Sequence, residues 1–518
     1  MAGKLLIDAH YPDEARVAVI SELGELEFFE TEYLEKKPIK GNIYLAKIVR
    51  IEPSIQAAFI EYGGEKHGFL PLSEIHFSYF NENTSRVNKD VPKQALEDGK
   101  TPKKKPRRKI SKIQEVIAAN QVVLVQAEKE IRGNKCAFFS TFISLPGRYC
   151  ILTPNPPKGK GNAVSKKIVD AEKERLKDVI KSLDIPEGMG CIVRTAGANR
   201  TKNEIKRDLD YLLKLWNKVR SMTASSTSPC LLHEEGNIVK RSIRDLYQRS
   251  MDSIVIQGEN AHKEARAFMR MFTPSHMKKI KLYSDTERPI FNKYEIEDKI
   301  GSMLFPVIEL PSGGSIVINT TEALTAIDVN SGKSKNNLDI ENTALRTDLE
   351  AIVEIAKQIK LRDISGIIIV DFIDVSSRQA IDKIEKKMRD AMKNDYSSIQ
   401  IGKLSQFGLM EISRQRLRMS LVDSNFIQCP HCRGAGKILS QETVAISVIR
   451  KIENDLIDEN AKHIVAEVAS GIDLFILNHK RKLLKNLEDR YEVFIEIMHN
   501  PSFIGTDCKV TVKVHKIS

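Results

Sequence analysis

Two apolar runs constrain this chain more than any other feature. The run "ALTAID" ends in Asp328, and "GIIIVDFID" carries Asp371. Between them, after a loop, residues 341–361 place Leu345, Leu349, Ile352, Val353, Ala356 and Ile359 at helical spacing. Strand, helix and strand joined by a crossover of this length predict two parallel strands with a right-handed connection. If the strands are neighbours, their C-terminal ends share one sheet edge. Asp328 and Asp371 then face one crevice, the place where open α/β sheets hold ligands.

Two carboxylates there repel each other by about 4 kcal/mol at ~4 Å and an effective dielectric near ~20. A shared proton, a neighbouring Lys or Arg, or a divalent cation can offset this. The chain carries 81 Lys+Arg against 69 Asp+Glu, a formal charge of +12, and its pI is near 9.1. That surplus favours a polyanionic partner, nucleic acid or an anionic membrane surface, and so points to the cation. Mg²⁺ takes one or two carboxylates, keeps several waters and engages substrate phosphates. Asn330, two residues beyond Asp328, could add an amide oxygen or orient a water. The chemistry implied is metal-assisted phosphodiester hydrolysis. A single strand-end aspartate more often caps a turn or a helix, but two on one edge, with Asp374 near, weigh against that. "NSGKS" at 330–334 is not a phosphate-binding loop, because the motif needs a glycine where this chain has Ile327.

At 518 residues and ~150 residues per domain, three to four domains are expected. Residues 1–38 read as two or three strands, too few to close a core alone, so they must pack on something later. The start "MAGKLLIDAHYPDEARVAVI" is acidic and amphipathic, and no run of eighteen apolar residues occurs, so the chain reads as soluble and intracellular. From residue 41 come short alternating strands, "GNIYLAKIVRI", "AAFIEYGG", "KHGFLPL" and "QVVLVQAEKE", which predict a small barrel of the OB kind. Residues 77–118, with "KTPKKKPRRKISK", read as a disordered basic loop on it. Phe59, Tyr62 and Phe69 among Lys47, Arg50, Lys66 and His67 suit base stacking beside phosphate neutralisation, although some of these rings must fill the barrel. "VRTAG", with Arg194 and Thr195, could hold a phosphate. The helix predicted over 203–222 carries Leu209, Leu212, Leu213 and Trp216 as a core stripe with no site. Residues 441–518 read as helix, strand, helix, strand, strand.

Of seven cysteines, only Cys429 and Cys432 stand at a ligand spacing, in "QCPHCRGAGKI". The trailing Gly-x-Gly matches a zinc knuckle and argues against the helix that a redox pair caps. A structural zinc wants four ligands, and His431 is poorly spaced as a third. The simplest completion is the same pair from a second copy of the chain.

The motifs "GNIYLAKIVRIEPSIQAAFIEYGGEKHGFLPLSEI", "RGNK", "IPEGMGCIVRTAG", "KIKLY", "LPSGGSIVI", "TEALTAIDVNSG", "GIIIVDFIDV", "FGLMEISRQR" and Cys-Pro-x-Cys, collinear over essentially all of the chain, together resemble the catalytic half of the ribonuclease E/G family. The resemblance implies a multidomain α/β architecture. An RNase H-like domain is split between 1–38 and 240–303, with an OB-fold RNA-binding barrel at 39–141 and a 5′-sensor at 142–239 inserted. A DNase I-like catalytic domain at 304–425, a zinc link at 426–439 and a small α/β dimerisation domain at 440–518 follow. It places catalytic Mg²⁺ on Asp328 and Asp371 with Asn330 assisting, RNA contacts on Phe59, Phe69 and Lys135, and the 5′-monophosphate sensor on Gly147, Ile151, Arg194 and Thr195. Structural Zn²⁺ falls on Cys429 and Cys432, shared between protomers of a homotetramer built as a dimer of zinc-linked dimers. The sensor's second arginine, which helps hold its turn, falls on Ser398, and a basic pair of the family falls on Lys166 and Lys167. By local wording the chain is nearer the E-type than the G-type.

The resemblance implies a single-strand-specific endoribonuclease cutting AU-rich RNA to leave 5′-phosphate and 3′-hydroxyl ends. Its expected roles are ribosomal and transfer RNA processing and messenger decay, in the cytoplasm or at the inner face of the inner membrane. The alternatives are a ribonuclease G-type processing enzyme and a non-catalytic RNA-binding scaffold.

Overall fold

The computed structural model describes residues 3–33, 38–80, 112–130, 136–157, 161–285, 287–332, 340–393, 395, 397–416, 420–421, 425–458 and 462–513. The chain divides into two compact units, residues 1–418 and 419–518.

The first unit opens with β1 (Lys4–Asp8), β2 (Glu14–Ile20) and β3 (Leu26–Tyr33). The barrel follows, with β4 (Ile43–Glu52), β5 (Ala57–Glu61), β6 (Gly68–Pro71), helix α1 (Ile113–Val116), β7 (Val122–Lys129) and β8 (Phe138–Ser140). Strand order β4-β5-β6-β8-β7, with β7 pairing back on β4, closes the ring. Residues 112–118 do not belong to the basic loop predicted around them. Ile113, Val116 and Ile117 are buried in the barrel core with Ile48, Ile60 and Phe139, because three apolar side chains gain more from that core than from water. Residues 77–80 do not belong to it either, since Phe77–Tyr79 form a 3₁₀ turn and Tyr79 and Phe80 pack against the same core; residues 81–111 lie outside the described residues.

The next segment holds β9 (Leu145–Pro146), β10 (Cys150–Thr153), β11 (Ala163–Val164), α2 (Asp170–Lys181), β12 (Gly190–Val193), α3 (Lys202–Ser225) and β13 (Cys230–His233). Helix α3 starts at a capping box, Thr201 with Glu204, which satisfies two otherwise orphaned N–H groups. After α4 (Ile238–Asp245), the chain returns to the N-terminal strands. Strand β14 (Ser253–Gln257) lies parallel to β1, with Lys4 opposite Ser253 and Asp8 opposite Gln257. Then come α5 (Glu259–Phe272) and β15 (Ile280–Leu282), parallel to β14. The first strands thus find their missing core some 250 residues later, in the sheet β15-β14-β1-β2-β3.

After α6 (Ile290–Lys293) and α7 (Glu297–Ser302), a six-stranded sheet begins. It contains β16 (Val307–Glu309), β17 (Ser315–Thr320), β18 (Leu324–Asn330), α8 (Ile340–Leu361), β19 (Gly366–Asp371), α9 (Arg378–Met392), β20 (Ile399–Leu404) and β21 (Leu409–Arg414). The order is β16-β17-β18-β19-β21-β20. Ile327, Val329, Ile368, Val370, Met410 and Ile412 pack against Ile352, Ile355, Ile359 and Met388, so both helices cover the same face. Val353, expected on the apolar stripe of α8, is 52% exposed; the buried arc runs through the expected Ile352, Ala356 and Ile359 and takes in Ala351 and Ile355.

The second unit holds α10 (Gln441–Asp458), β22 (His463–Val468), α11 (Ile472–His479), α12 (Arg481–Tyr491), β23 (Phe494–His499) and β24 (Cys508–Lys513). Strand β22 is central, parallel to β23 and antiparallel to β24. Among the described residues no helix is long and apolar enough to cross a membrane.

Candidate functional site

Alternation along β18 and β19 decides where the predicted carboxylates go. Ile327 and Val329 point into the core, so Ala326, Asp328 and Asn330 point to the uncovered face, and in β19 Asp371 does the same beside buried Val370. The strands are parallel neighbours in register, with Asp328 directly opposite Asp371. Adjacent strands lie ~4.8 Å apart, so two exposed carboxylates stand side by side. Asn330 Nδ2 donates to Asp328 Oδ2 at 2.9 Å, which fixes that carboxylate, and the amide oxygen of Asn330 has no partner among the described residues. Among the described residues neither carboxylate has a cationic partner. Asp374 turns towards the β20–β21 turn, with its Oδ1 3.3 Å from where a β-carbon on Gly408 would sit. Among the described residues no three acidic, His or Cys side chains converge.

The loop after β19 is tied down by α8. Asp348 Oδ1 accepts from the Ile373 N–H at 3.1 Å, and Glu341 Oε1 accepts from the N–H groups of Ser376 at 3.1 Å and Ser377 at 2.8 Å. Asp348 is fully buried and its Oδ2 has no partner. Burial pushes this carboxyl up to about 7, against a partial pull downward from the Ile373 N–H.

On the barrel, Phe59 and Phe69 are half-buried and meet edge to face at 6.0 Å, and Phe69 also meets Phe138 at 6.1 Å. Arg50 lies over Phe59 at 4.9 Å and Lys129 over Phe138 at 4.9 Å. Cations flanking partly open rings suit stacked bases and phosphates. Tyr62 is instead core, packed on Tyr44 and Phe139. Phe138 escaped the sequence reading because its neighbour Phe139 is the core residue and only the pairing of β8 with β6 brings Phe138 to Phe69. Lys135 lies outside the described residues.

Gly147, Ile151, Arg194 and Thr195 come together where β10 pairs with β12. Ile151 sits opposite Ile192, the Arg194 N–H donates to Tyr149 O at 2.8 Å, and Arg194 Nη1 donates to Gly147 O at 2.7 Å. The same Nη1 pairs with Asp245 Oδ1 at 2.7 Å. Burial pushes the Asp245 carboxyl up, but Arg244 and Arg194 beside it outweigh that and hold it below its ordinary range. Thr195 and Ser398 are exposed. Lys167 Nζ donates to Asp395 O at 2.8 Å, tying the segment that carries β10 and β12 to the six-stranded sheet. There the buried Arg414 pairs with Asp395 at 3.1 Å and Asp363 at 2.5 Å.

In the second unit, Cys429 is exposed and Cys432 half-buried. The N–H groups of Gly436 and Gly434, then Cys429, lower the Cys432 thiol, as a thiolate ligand requires. Gly434 and Gly436 adopt φ of 89° and 68°, a conformation that only glycine takes freely, and this curls the loop around the sulfur. Donor type and loop shape fit half of a tetrahedral zinc site.

The Ribonuclease E/G family pattern matches residues 144–417, an S1 RNA binding domain matches 37–140, and a thioredoxin-like domain of RNase E/G matches 428–513, taking in both cysteines. The chain is 40% identical to ribonuclease E of Haemophilus influenzae over 507 residues, 96% of this chain and 51% of the relative. It is 40% identical to a putative ribonuclease E of Buchnera aphidicola subsp. Baizongia pistaciae over 82% of this chain and 97% of that one. Identity to ribonuclease G of Escherichia coli is 31%, over 87% of this chain and 88% of the relative. The chain spans about half the length of the ribonuclease E of Haemophilus influenzae. With the family pattern covering more than half of its residues, this chain belongs to the ribonuclease E/G family.

Proposed function

We propose that the chain is a Mg²⁺-dependent, single-strand-specific endoribonuclease that cuts AU-rich RNA, acting in ribosomal and transfer RNA processing and messenger decay. The observation that carries this reading is the register of Asp328 opposite Asp371 on an uncovered sheet face, without a cationic partner among the described residues. When bound there, Mg²⁺ supplies charge neutralisation of the scissile phosphate and activation of a water. The protein's own part is positional. Asn330 holds the Asp328 carboxylate in one orientation, and Asp348 and Glu341 hold the loop that follows Asp371. Phe59, Phe69 and Phe138 offer ring faces to unpaired bases, which only a single strand presents. Arg194, Thr195, Gly147 and Ile151 form an anion-binding turn suited to a 5′-monophosphate.

The test is cleavage of a 5′-monophosphorylated AU-rich oligonucleotide with Mg²⁺, comparing the unaltered protein with Asp328→Asn. A loss of about a hundredfold or more is expected, because even partners behind a metal ligand cost 10–100-fold; equal rates would end the metal-site reading.

Cys429 and Cys432 are read as half of a Zn²⁺ site completed by a second copy, within a homotetramer of two zinc-linked dimers. Exchanging both for serine should release zinc and give smaller assemblies in sedimentation. A metal-free variant that kept its size would refute the shared site.

A further inference from the structure

One buried acidic residue belongs to none of the predicted sites, and it sits directly beneath the anion-binding turn. Asp208, on α3, is fully buried. Its Oδ2 accepts the N–H groups of Tyr149 at 2.7 Å and Cys150 at 2.9 Å, and its Oδ1 accepts that of Arg148 at 3.1 Å; the Cys150 thiol adds a weak donor at 3.5 Å. Three consecutive backbone N–H groups converge on one carboxylate, and among the described residues no cationic side chain pairs with it. Gly147 packs so closely that a β-carbon there would lie 2.6 Å from Asp208 Oδ2. The carboxylate therefore dictates both the curl of residues 147–150 and the need for glycine at 147.

That curl decides where Gly147 O points, and Gly147 O is one of two acceptors that fix Arg194. The other is Asp245 at the end of α4, and both use Nη1. Among the described residues Nε and Nη2 have no partner, which leaves one edge of the guanidinium fork for a phosphate. The other side of the turn is held by Arg148, whose Nη1 donates to Ile243 O at 2.5 Å and Nη2 to Tyr247 O at 2.8 Å, at the C-terminal end of α4. Ser398, by contrast, makes no side-chain bond to the turn among the described residues.

We propose that Asp208 is the positioning residue of the 5′-phosphate turn: its carboxylate shapes residues 147–150 so that Gly147 and Asp245 aim Arg194 at the phosphate, and it holds the turn from the α3 side. This rests on the reading of the turn as a 5′-phosphate sensor.

In Asp208→Asn an amide N–H₂ must face at least one of the three backbone donors, so the turn loses its shape while side-chain volume is kept. The measurement is the ratio of kcat/KM for 5′-monophosphorylated over 5′-hydroxyl oligonucleotide, together with amide hydrogen exchange at residues 148–150. The expected result is a ratio above one in the unaltered protein that falls to about one in Asp208→Asn, with faster exchange at those amides. A purely structural role would lower both rates and keep the ratio, and a kept ratio overturns the proposal. A ratio of one in the unaltered protein would instead sink the sensor reading; exchange at 148–150 would then decide alone whether Asp208 holds the turn. Should Asp208→Asn not fold, Gly147→Ala puts a β-carbon against the carboxylate from the turn side and is expected to lower the ratio in the same way.

Discussion

Aspartates of two kinds stand in this molecule, and their surroundings differ in every respect that matters chemically. At the sheet edge, Asp328 and Asp371 are exposed, adjacent and without a cation among the described residues. In the interior, Asp208 is enclosed by backbone N–H groups, and Asp363 and Asp395 clasp the guanidinium of Arg414. Interior charge is tolerated because each carboxylate has donors aimed at it; without them burial costs several kcal/mol. The edge pair has the reverse arrangement, with repulsion left uncompensated and water at hand. The comparison teaches that one residue type serves as scaffold where its acceptors are filled, and keeps acceptors open, as a ligand site needs, where they are not.

The sharpest way to break that contrast is to remove the interior cation. Arg414→Met leaves Asp363 and Asp395 without their shared guanidinium, and should cost about 3–5 kcal/mol in denaturant unfolding. Asp328→Asn, at the edge, removes one of two like charges and should leave the unfolding midpoint unchanged or raised. If the edge variant were the more destabilised, the division into scaffold and ligand carboxylates would be wrong.

A smaller effect is expected at Asn330, which touches only the edge pair. Asn330→Ala frees Asp328 to rotate and should lower kcat by about 10–100-fold, or about 1.4–2.7 kcal/mol of barrier, with no change in unfolding. Asn330→Asp keeps the size but adds a third negative charge, so its activity should depend more steeply on Mg²⁺ concentration. An alanine variant with full activity would remove Asn330 from the site.

How much of this was legible in the sequence follows the range of the interactions. The βαβ unit that carries Asp328 and Asp371 is written in local periodicity, and its crossover length already implies a shared edge. The pairing of β1 with β14 is not local, and nothing in either strand specifies the other beyond being apolar. Val353 departs from its expected place because a stripe at helical spacing does not say how far round the helix the sheet reaches. Asp208 carries a signal visible in the sequence: it lies in the same buried arc as Ile205, Leu209, Leu212 and Trp216, and a charged residue inside a core stripe must have dedicated donors. What no sequence reading supplies is where those donors come from, a turn some sixty residues earlier.

Asp348 lies between the two kinds and can sharpen the boundary between them. It is as buried as Asp208, yet only Oδ1 is bonded, to the Ile373 N–H close to the edge pair, and Oδ2 has no partner. Its folded pKa of about 7 stands above the ordinary 3.8, so in that window the native state binds more proton than the unfolded one. The sign follows directly: the contribution is fully present below about pH 4 and is lost as pH rises through about 7. Asp348→Asn keeps an acceptor for Ile373 and never ionises, so it should flatten this loss. The variant should gain on the unaltered protein by up to roughly 1.4 kcal/mol per pH unit across the window, read by denaturant unfolding at pH 5, 6.5 and 8. Parallel profiles would mean that Asp348 is ionised in the fold and has a donor of its own, which would move it to the side of Asp208; a profile that flattens places it as a neutral strut under a charged edge.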